Sequence, residues 1–569
     1  MVSYRRPGCR GILDKGREKT DAAAMNPAVA HHDPIPRTPD PWGRRDLLIA
    51  TLITLAATLF HLLYFNHGVR NWIDLGVAAV DGERILRGEH FGRDFMAPYG
   101  PGRYYLTALW FRFFGTSLFV LNTLYLSLMA VVAAGTYRVA RYFVAPPAAV
   151  LAALLAAVAH GPIHKVYLGL FSVLFCLAAL RVLERGSFRR ALIMGAAGAV
   201  TGLFRHDLGA LALICAGLVT IGSAACSPEG ASPRHRWKHL VRLAAGCAAG
   251  GLVVLVLPVG LLMVYGDPLW VFDQVWHRIC AFGSVSVNEP GLADLLAGGG
   301  RGGWLEGVLT LIFLATPFLI LMLAGIDALA ARTRARALEL LLLAVMGLFL
   351  LNQWRLIPRF IRLMQVSPLL YVGMVVLSDR LGSFLAGRAI GFRSSHFVRR
   401  AGVPGVIVTL GLSAALVIDL WQFTGHQSQD SFAVLRFEEK YMEIERARCF
   451  VKKARCEEME KVVAVVRRYS REGEPILTGP ACPIVSFLAE RPNAIPFTDA
   501  YLYFLNPDAE FKIIARLEEP GSAVSLFVDW PRPIGGLTLP GAAPRLHAYL
   551  RAHFRELERV GRFVIWRRP

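Results

Sequence analysis

Residues 44–66 read RRDLLIATLITLAATLFHLLYFN, and Leu47–Asn66 within them are twenty positions without a formal charge. About 20 mostly apolar residues cross a bilayer as one helix. Arg44 and Arg45 stand in front of the run and no small-residue cleavage site follows it, so it reads as an uncleaved anchor. Working outward, similar runs occur near Ser117–Tyr137, Phe143–Ala159, Val166–Leu183, Ala191–Phe204, Leu208–Ala225, Leu243–Val264, Leu305–Ala331, Ala337–Leu351, Met364–Leu385 and Val403–Leu420. About eleven spans are expected by hydropathy. The 569-residue chain is 54% hydrophobic and 18% charged, against roughly 25% charged in an ordinary soluble domain. A wholly soluble enzyme, a disordered chain and a collagen-like repeat are thereby excluded. The fold class expected is a polytopic α-helical membrane protein.

The 62 Lys and Arg exceed the 42 Asp and Glu by twenty charges. Most of the excess sits in loops between apolar runs, where membrane proteins concentrate it on the cytoplasmic side, so nucleic acid is not an expected partner. The clusters Arg138/Arg141, Arg181/Arg185/Arg189/Arg190, Arg234/Arg236/Lys238/Arg242, Arg332/Arg334/Arg336 and Arg388/Arg393/Arg399/Arg400 separate successive pairs of spans. An inside N-terminus puts all of them inside. Arg205-His206-Asp207 then becomes the tip of an outside hairpin, and an odd number of spans leaves the C-terminus outside. Residues 1–45, with Pro34, Pro36, Pro39 and Pro41, read as a disordered cytoplasmic arm whose true start could be Met25.

The spans occupy 46–420, with long outside loops at 67–116 and 266–304, and 421–569 form an outside tail. Ile476-Leu477 and Ala523–Val528 read as strands, Phe511–Glu518 and Leu546–Arg559 as helices, and Gly561–Trp566 as a last strand. A small α/β domain follows from that alternation. Cys449 and Cys456 would face an oxidising exterior, where a disulfide between them is open, as is their placement on opposite faces of one helix.

The first outside loop carries Trp72-Ile73-Asp74-Leu75-Gly76, Gly82-Glu83-Arg84, Arg93-Asp94-Phe95 and Pro98-Tyr99-Gly100-Pro101-Gly102-Arg103-Tyr104-Tyr105. Asp74 stands at the membrane interface among apolar residues. Leu75–Leu86 is amphipathic enough to lie along the membrane as a helix, which Asp74 could cap. This order of residues resembles the first extracytoplasmic loop of the GT-C glycosyltransferases. That group includes lipid A aminoarabinose transferases, RgtA-like lipopolysaccharide glycosyltransferases and protein O-mannosyltransferases, which take sugars from polyprenyl-phosphate carriers. The spans, the orientation and the terminal α/β unit are similar to theirs as well, as are Ile484–Arg491 with Asn493 and the ending Tyr549–Trp566.

The resemblance implies a polyprenyl-phosphate sugar donor and a glycan, lipid or protein acceptor at the periplasmic face of a bacterial inner membrane. It places Asp74 at the family's catalytic aspartate, a general base for the acceptor hydroxyl, and Asp94, Tyr99 and Arg103 in the substrate-binding loop. Where relatives often carry a second acid beside it, this chain has Leu75, which leaves Asp81, Glu83 and Asp94 as candidates. Some relatives use a divalent cation, and no convincing ligand set for one is visible here.

Two further clusters fall on the same expected face. Arg205, His206 and Asp207 lie between apolar runs, where ionisable groups are costly unless they serve a cavity; a solvent-facing turn with Arg205 paired to Asp207 is the alternative. Arg355, Arg359 and Arg362 lie outside, where basic residues are normally depleted. Arg359 and Arg362 share a helical face and suit phosphate oxygens, or else snorkel to lipid headgroups. His160 and His164 have i, i+4 spacing that a metal could use, without a third ligand nearby. No phosphate-binding loop, dinucleotide fingerprint or serine elbow appears. The rival readings are a lipid or glycan transporter, which should show paired broken helices, and an O-antigen ligase or polymerase, which would carry one large late outside loop between spans.

Overall fold

The computed structural model describes residues 43–65, 72–97, 99–158, 162–226, 232–282, 303–329, 334–356, 360–389, 439–480, 482–504, 506, 508–519, 524–534 and 537–569. The expected span Val403–Leu420 lies outside these, as do Arg359 and His160. The first helix, α1 (Arg44–Phe65), is followed by two short helices, α2 (Trp72–Leu86) and α3 (Gly102–Phe114). The bundle continues with α4 (Leu118–Ala140), α5 (Pro146–Val158), a 3-10 turn at Ile163–Lys165, α6 (Val166–Glu184), α7 (Phe188–Phe204), α8 (His206–Ala225), α9 (Pro233–Tyr265) and α10 (Pro268–Phe282). After them come α11 (Gly303–Leu329), α12 (Arg334–Leu350), two single turns α13 (Asn352–Leu356) and α14 (Phe360–Met364), and α15 (Ser367–Ala389). Among the described residues, seven helices are long and apolar enough to cross a membrane. The run at Phe143–Ala159 forms only the 13-residue α5 and that at Ala191–Phe204 the 17-residue α7.

Serines start three of the helices, as expected where the first N–H groups lack partners. Ser117, Ser187 and Ser232 accept from the backbone N–H three residues on, at Val120, Arg190 and His235. At one end of the bundle Asp46 accepts from Arg141 Nε at 2.7 Å and from the Tyr137 hydroxyl, pinning α1 to α4. Arg336 donates there to the Tyr142 and Phe143 carbonyls, closing the same end. The opposite end carries α2, α3, the tip between α7 and α8, and the tail.

The tail opens with a short antiparallel pair, β1 (Glu439–Tyr441) and β2 (Phe450–Lys452). It continues through α16 (Lys453–Tyr469), β3 (Leu477–Pro480), α17 (Pro483–Ala489), α18 (Ala500–Phe504), α19 (Ala509–Glu518), β4 (Leu526–Trp530), α20 (Leu539–Ala542), α21 (Pro544–His553), β5 (Arg555–Val560) and β6 (Phe563–Arg567). The sheet order is β3-β4-β6-β5, with β3 parallel to β4 and the other pairs antiparallel. The helix expected over Leu546–Arg559 ends at His553. Arg555–Val560 instead form an exposed edge strand, because Gly561 in the left-handed region closes a tight hairpin onto β6. Cys449 and Cys456 are not bonded to each other; the Cys456 thiol donates to Glu460 Oε1 at 3.3 Å.

Leu75–Leu86 forms the helix expected of it, and most of its surface is taken up by protein. Helix α2 is covered on nearly all sides by α3 and by α17 of the tail, with Leu75, Val77, Ala78, Ala79 and Val80 buried. A Cβ on Gly76 would stand 2.6 Å from the Ile484 backbone nitrogen, so this contact needs glycine. The loop and tail are also joined main chain to main chain: Met96 N–H donates to the Pro496 carbonyl at 2.9 Å. Arg84 adds a bond to the Ile495 carbonyl and Arg446 one to Glu83.

Candidate functional site

Asp74 is the third residue of α2, inside the first turn and not at the cap position before it. Its carboxylate favours that end of the helix dipole but points across to the 3-10 turn before α6. His164 Nε2 lies 3.2 Å from Oδ2 and Lys165 Nζ lies 3.7 Å from Oδ1. The Asp74 side chain keeps 30% exposure while that of His164 has 4%, so a reactant can reach the acid and not the imidazole's partner face. Burial opposes ionisation of Asp74, but His164, Lys165 and Arg103 together outweigh it and hold the carboxyl well below the usual range.

Tyr99 is the hub of the neighbouring cations. Gly100 N–H donates to the Phe204 carbonyl at 3.1 Å, and a Cβ on Gly100 would stand 2.2 Å from the Leu203 oxygen. That close approach, which only glycine permits, lays Tyr99 against the end of α7. Around its ring stand Lys165 Nζ at 4.6 Å, Arg103 at 5.1 Å and Arg205 at 5.2 Å from the centroid. Lys165 also donates to the Tyr99 hydroxyl. Arg103 is buried among tyrosines and donates to Tyr125 at 3.2 Å. Arg205 forms a fork on Asp207, Nε to Oδ1 at 2.9 Å and Nη2 to Oδ2 at 2.6 Å. Gln353, from the Asn352–Arg355 stretch, donates to the same Asp207 at 3.2 Å.

Three cations therefore face two carboxylates, Asp74 and Asp207, which leaves one positive charge at the centre of the cluster. Such a surplus suits an anion with several oxygens. A shallow groove lined in part by Lys165 lies between α4, α5, α6, α14 and α15. Its walls are largely apolar, with Met129, Val132, Ala156, Gly169 and Met364, and carry Gln365 and Ser367 beside the one ammonium group.

The remaining sequence candidates separate. His206 is the exposed first residue of α8 beside Asp207. Asp94 pairs with Arg93 and accepts from His90 N–H, in a loop tied to Arg84. Ten residues of helix separate Arg84 from Asp74, or about 15 Å, so Asp94 is not brought to Asp74. Asp81 accepts from Thr498 of the tail at 2.6 Å, and Glu83 pairs with Arg446 and Arg87. None of the three acids considered as a second carboxylate lies beside Asp74. Arg362 is half-buried on α14, three residues before Gln365 of the groove wall. No group of three or more potential metal-ligating side chains occurs among the described residues. His164, noted in the sequence only for its i, i+4 spacing from His160, is the partner of Asp74. Lys165 escaped the reading altogether, although a lysine on the expected outside face is as conspicuous as Arg359 and Arg362.

The chain superposes on the crystal structure of ArnT from Cupriavidus metallidurans bound to undecaprenyl phosphate with a TM-score of 0.50 at 13% identity, over 91% of this chain and 97% of that one. The archaeal oligosaccharyltransferase AglB from Archaeoglobus fulgidus, in complex with an inhibitory peptide and a dolichol-phosphate, gives a TM-score of 0.44 at 12% identity, over 85% and 70% of the two chains. No family model and no curated protein matches the sequence. The first likeness is one of fold: the chain shares the fold of that ArnT structure over most of its length.

Proposed function

We propose that this chain is an integral membrane glycosyltransferase that moves a sugar from a polyprenyl-phosphate donor to an envelope glycan, lipid or protein acceptor, on the periplasmic side of a bacterial inner membrane. The observation that carries this reading is the juxtaposition of one accessible carboxylate, Asp74, with the Lys165, Arg103 and Arg205 cluster, of which Lys165 also lines a largely apolar groove. A lipid phosphate needs cations for its charge and an apolar surface for its chain. The transfer needs a base at the sugar and little acid, because the departing phosphate is already a stable anion.

In this mechanism Asp74 accepts the proton of the acceptor hydroxyl as its oxygen attacks the anomeric carbon. The bond from that carbon to the phosphate oxygen breaks, and its electron pair leaves with the phosphate. Lys165, Arg103 and Arg205 hold the growing charge, with Asp207 and Gln353 fixing the Arg205 fork and Tyr99 spacing the cations. The tail, through α17 and the strand-like contact at Met96, holds α2 in place. Arg359, Arg362 and His206 are assigned to the approach of the donor headgroup.

The test is a strain lacking the gene, complemented with the wild-type chain or with Asp74→Asn at equal membrane levels. Mass spectrometry of envelope glycans and lipid-linked sugars should show one glycan residue missing and its polyprenyl-phosphate donor accumulating in the mutant. Full restoration by Asp74→Asn would overturn the assignment of the base. A lipid-linked sugar stranded on the wrong face, with no unused donor outside, would favour a transporter.

A further inference from the structure

The proposed reaction asks Asp74 to present one oxygen to an acceptor within a field of cations, yet an aspartate in the first turn of a helix has rotamers that would carry it elsewhere. Something must fix the carboxylate. Lys165 is poorly suited: its ammonium is 3.7 Å from Oδ1 and is already engaged by the Tyr99 hydroxyl. Nor do the other acids of the loop reach it, since Asp81 turns to Thr498, Glu83 to Arg446 and Asp94 to Arg93, and Asp207 is taken up by the Arg205 fork. His164 meets the requirement. It is held on the 3-10 turn Ile163–Lys165, which closes with the Lys165 N–H on the Pro162 carbonyl at 2.8 Å. Its side chain is almost fully enclosed and its Nε2 faces Oδ2.

Resting on the glycosyltransferase reading above, we propose that His164 is the positioning residue of Asp74, an imidazole held as the Nε2–H tautomer so that its donated bond to Oδ2 fixes the orientation in which the carboxylate meets the acceptor hydroxyl. The arrangement resembles in logic the orienting pair of a serine hydrolase with the order reversed: the imidazole orients and the carboxylate takes the proton. The proton balance is simple. The acceptor O–H breaks, its proton passes to Asp74, the oxygen bonds to the anomeric carbon, and the phosphate departs with the electron pair of the broken bond. His164 keeps its own proton throughout. It touches neither substrate, so it acts on turnover and leaves the binding of lipid phosphate to Lys165, Arg103 and Arg205.

His164→Gln places an amide nitrogen near Nε2 and retains the donor; His164→Leu has similar bulk and none. In the complemented strain, glycan product per unit of membrane-inserted protein should fall about 10- to 100-fold for the Leu variant, the fold-change expected for losing one hydrogen bond to a charged group. The Gln variant should stay within about fivefold of wild type, less than one such bond is worth. Undecaprenyl phosphate binding to the purified full chain, read by native mass spectrometry, should be unchanged in both variants and weakened by Lys165→Ala. The proposal is overturned if the Leu variant matches wild type, or if Gln and Leu lose product equally. It is also overturned if both variants lose lipid binding, which would make His164 a scaffold residue. Asp74→Asn run alongside separates the two levels: product from Asp74→Asn would remove the base itself, whereas an inactive Asp74→Asn beside a fully active His164→Leu removes only the positioning role.

Discussion

Asp74 and Asp81 stand seven positions apart on one helix, about two turns, and meet opposite surroundings. Asp74 is partly open, beside an imidazole and facing Lys165 and Arg103, and is held ionised. Asp81 is fully buried against the tail, and burial pushes its carboxyl up to about 7 even though Thr498 donates to it and Arg84 and Arg103 lie near, with Asp499 adding repulsion. Two identical side chains on one scaffold are thus set to different states by what covers them. The first can take a proton from a substrate; the second belongs to the joint between loop and tail.

The largest effect is expected from the open acid. Asp74→Asn should lower transfer by about three orders of magnitude, in the range seen when a general base is lost, with membrane insertion unchanged. A smaller effect on a different quantity is expected beside it. Lys165→Ala or Arg205→Ala should weaken undecaprenyl phosphate binding about 10- to 100-fold, the loss of one charge-assisted contact, read by titration of the purified chain. Were these variants to lose turnover with binding intact, the cation cluster would have been assigned to the wrong step.

The closed acid should respond to pH and hardly to substrate. Its folded-state pKa lies above the unfolded carboxyl value, so the protonated form favours the fold. That contribution is fully present below pH ~4 and is lost as pH rises through about 7. Three units correspond to about 4 kcal/mol at most. Asp81→Asn should therefore raise the thermal midpoint at pH 8, leave it nearly unchanged at pH 4, and flatten the slope between. The smallest effect is steric. Gly76→Ala should cost about 1–3 kcal/mol through overpacking against the Ile484 backbone, seen as a lower midpoint, with lipid phosphate binding retained.

The sequence exposes one half of this contrast and hides the other. The apolar runs at 47–66, 117–137 and 208–225 became α1, α4 and α8 because length and hydropathy decide a span locally. Asp74 stood out in the sequence by its place just after the first span, Arg103 by its place in the first-loop motif, and Arg205 by being charged where charge is costly. What could not be read was pairing across distant segments. His164 and Lys165 meet Asp74 only because a 3-10 turn ninety positions later in the chain folds back over α2. Likewise Thr498 reaches Asp81 from more than 400 residues away. The amphipathic pattern of Leu75–Leu86 foretold the helix but not that the tail would cover it, and the polar run Arg555–Val560 became a strand because its partner β6 supplied hydrogen bonds that no helix period foretells.

The central claim is that Asp74, not Asp81, takes the acceptor's proton. The most direct measurement places Asp74→Asn and Asp81→Asn side by side in the complemented strain at matched membrane levels, and reads by mass spectrometry the ratio of glycan product to accumulated lipid-linked sugar. The account predicts that Asp74→Asn abolishes product while donor accumulates, and that Asp81→Asn makes product like wild type. Product from Asp74→Asn, or its loss in a stably folded Asp81→Asn, would contradict it.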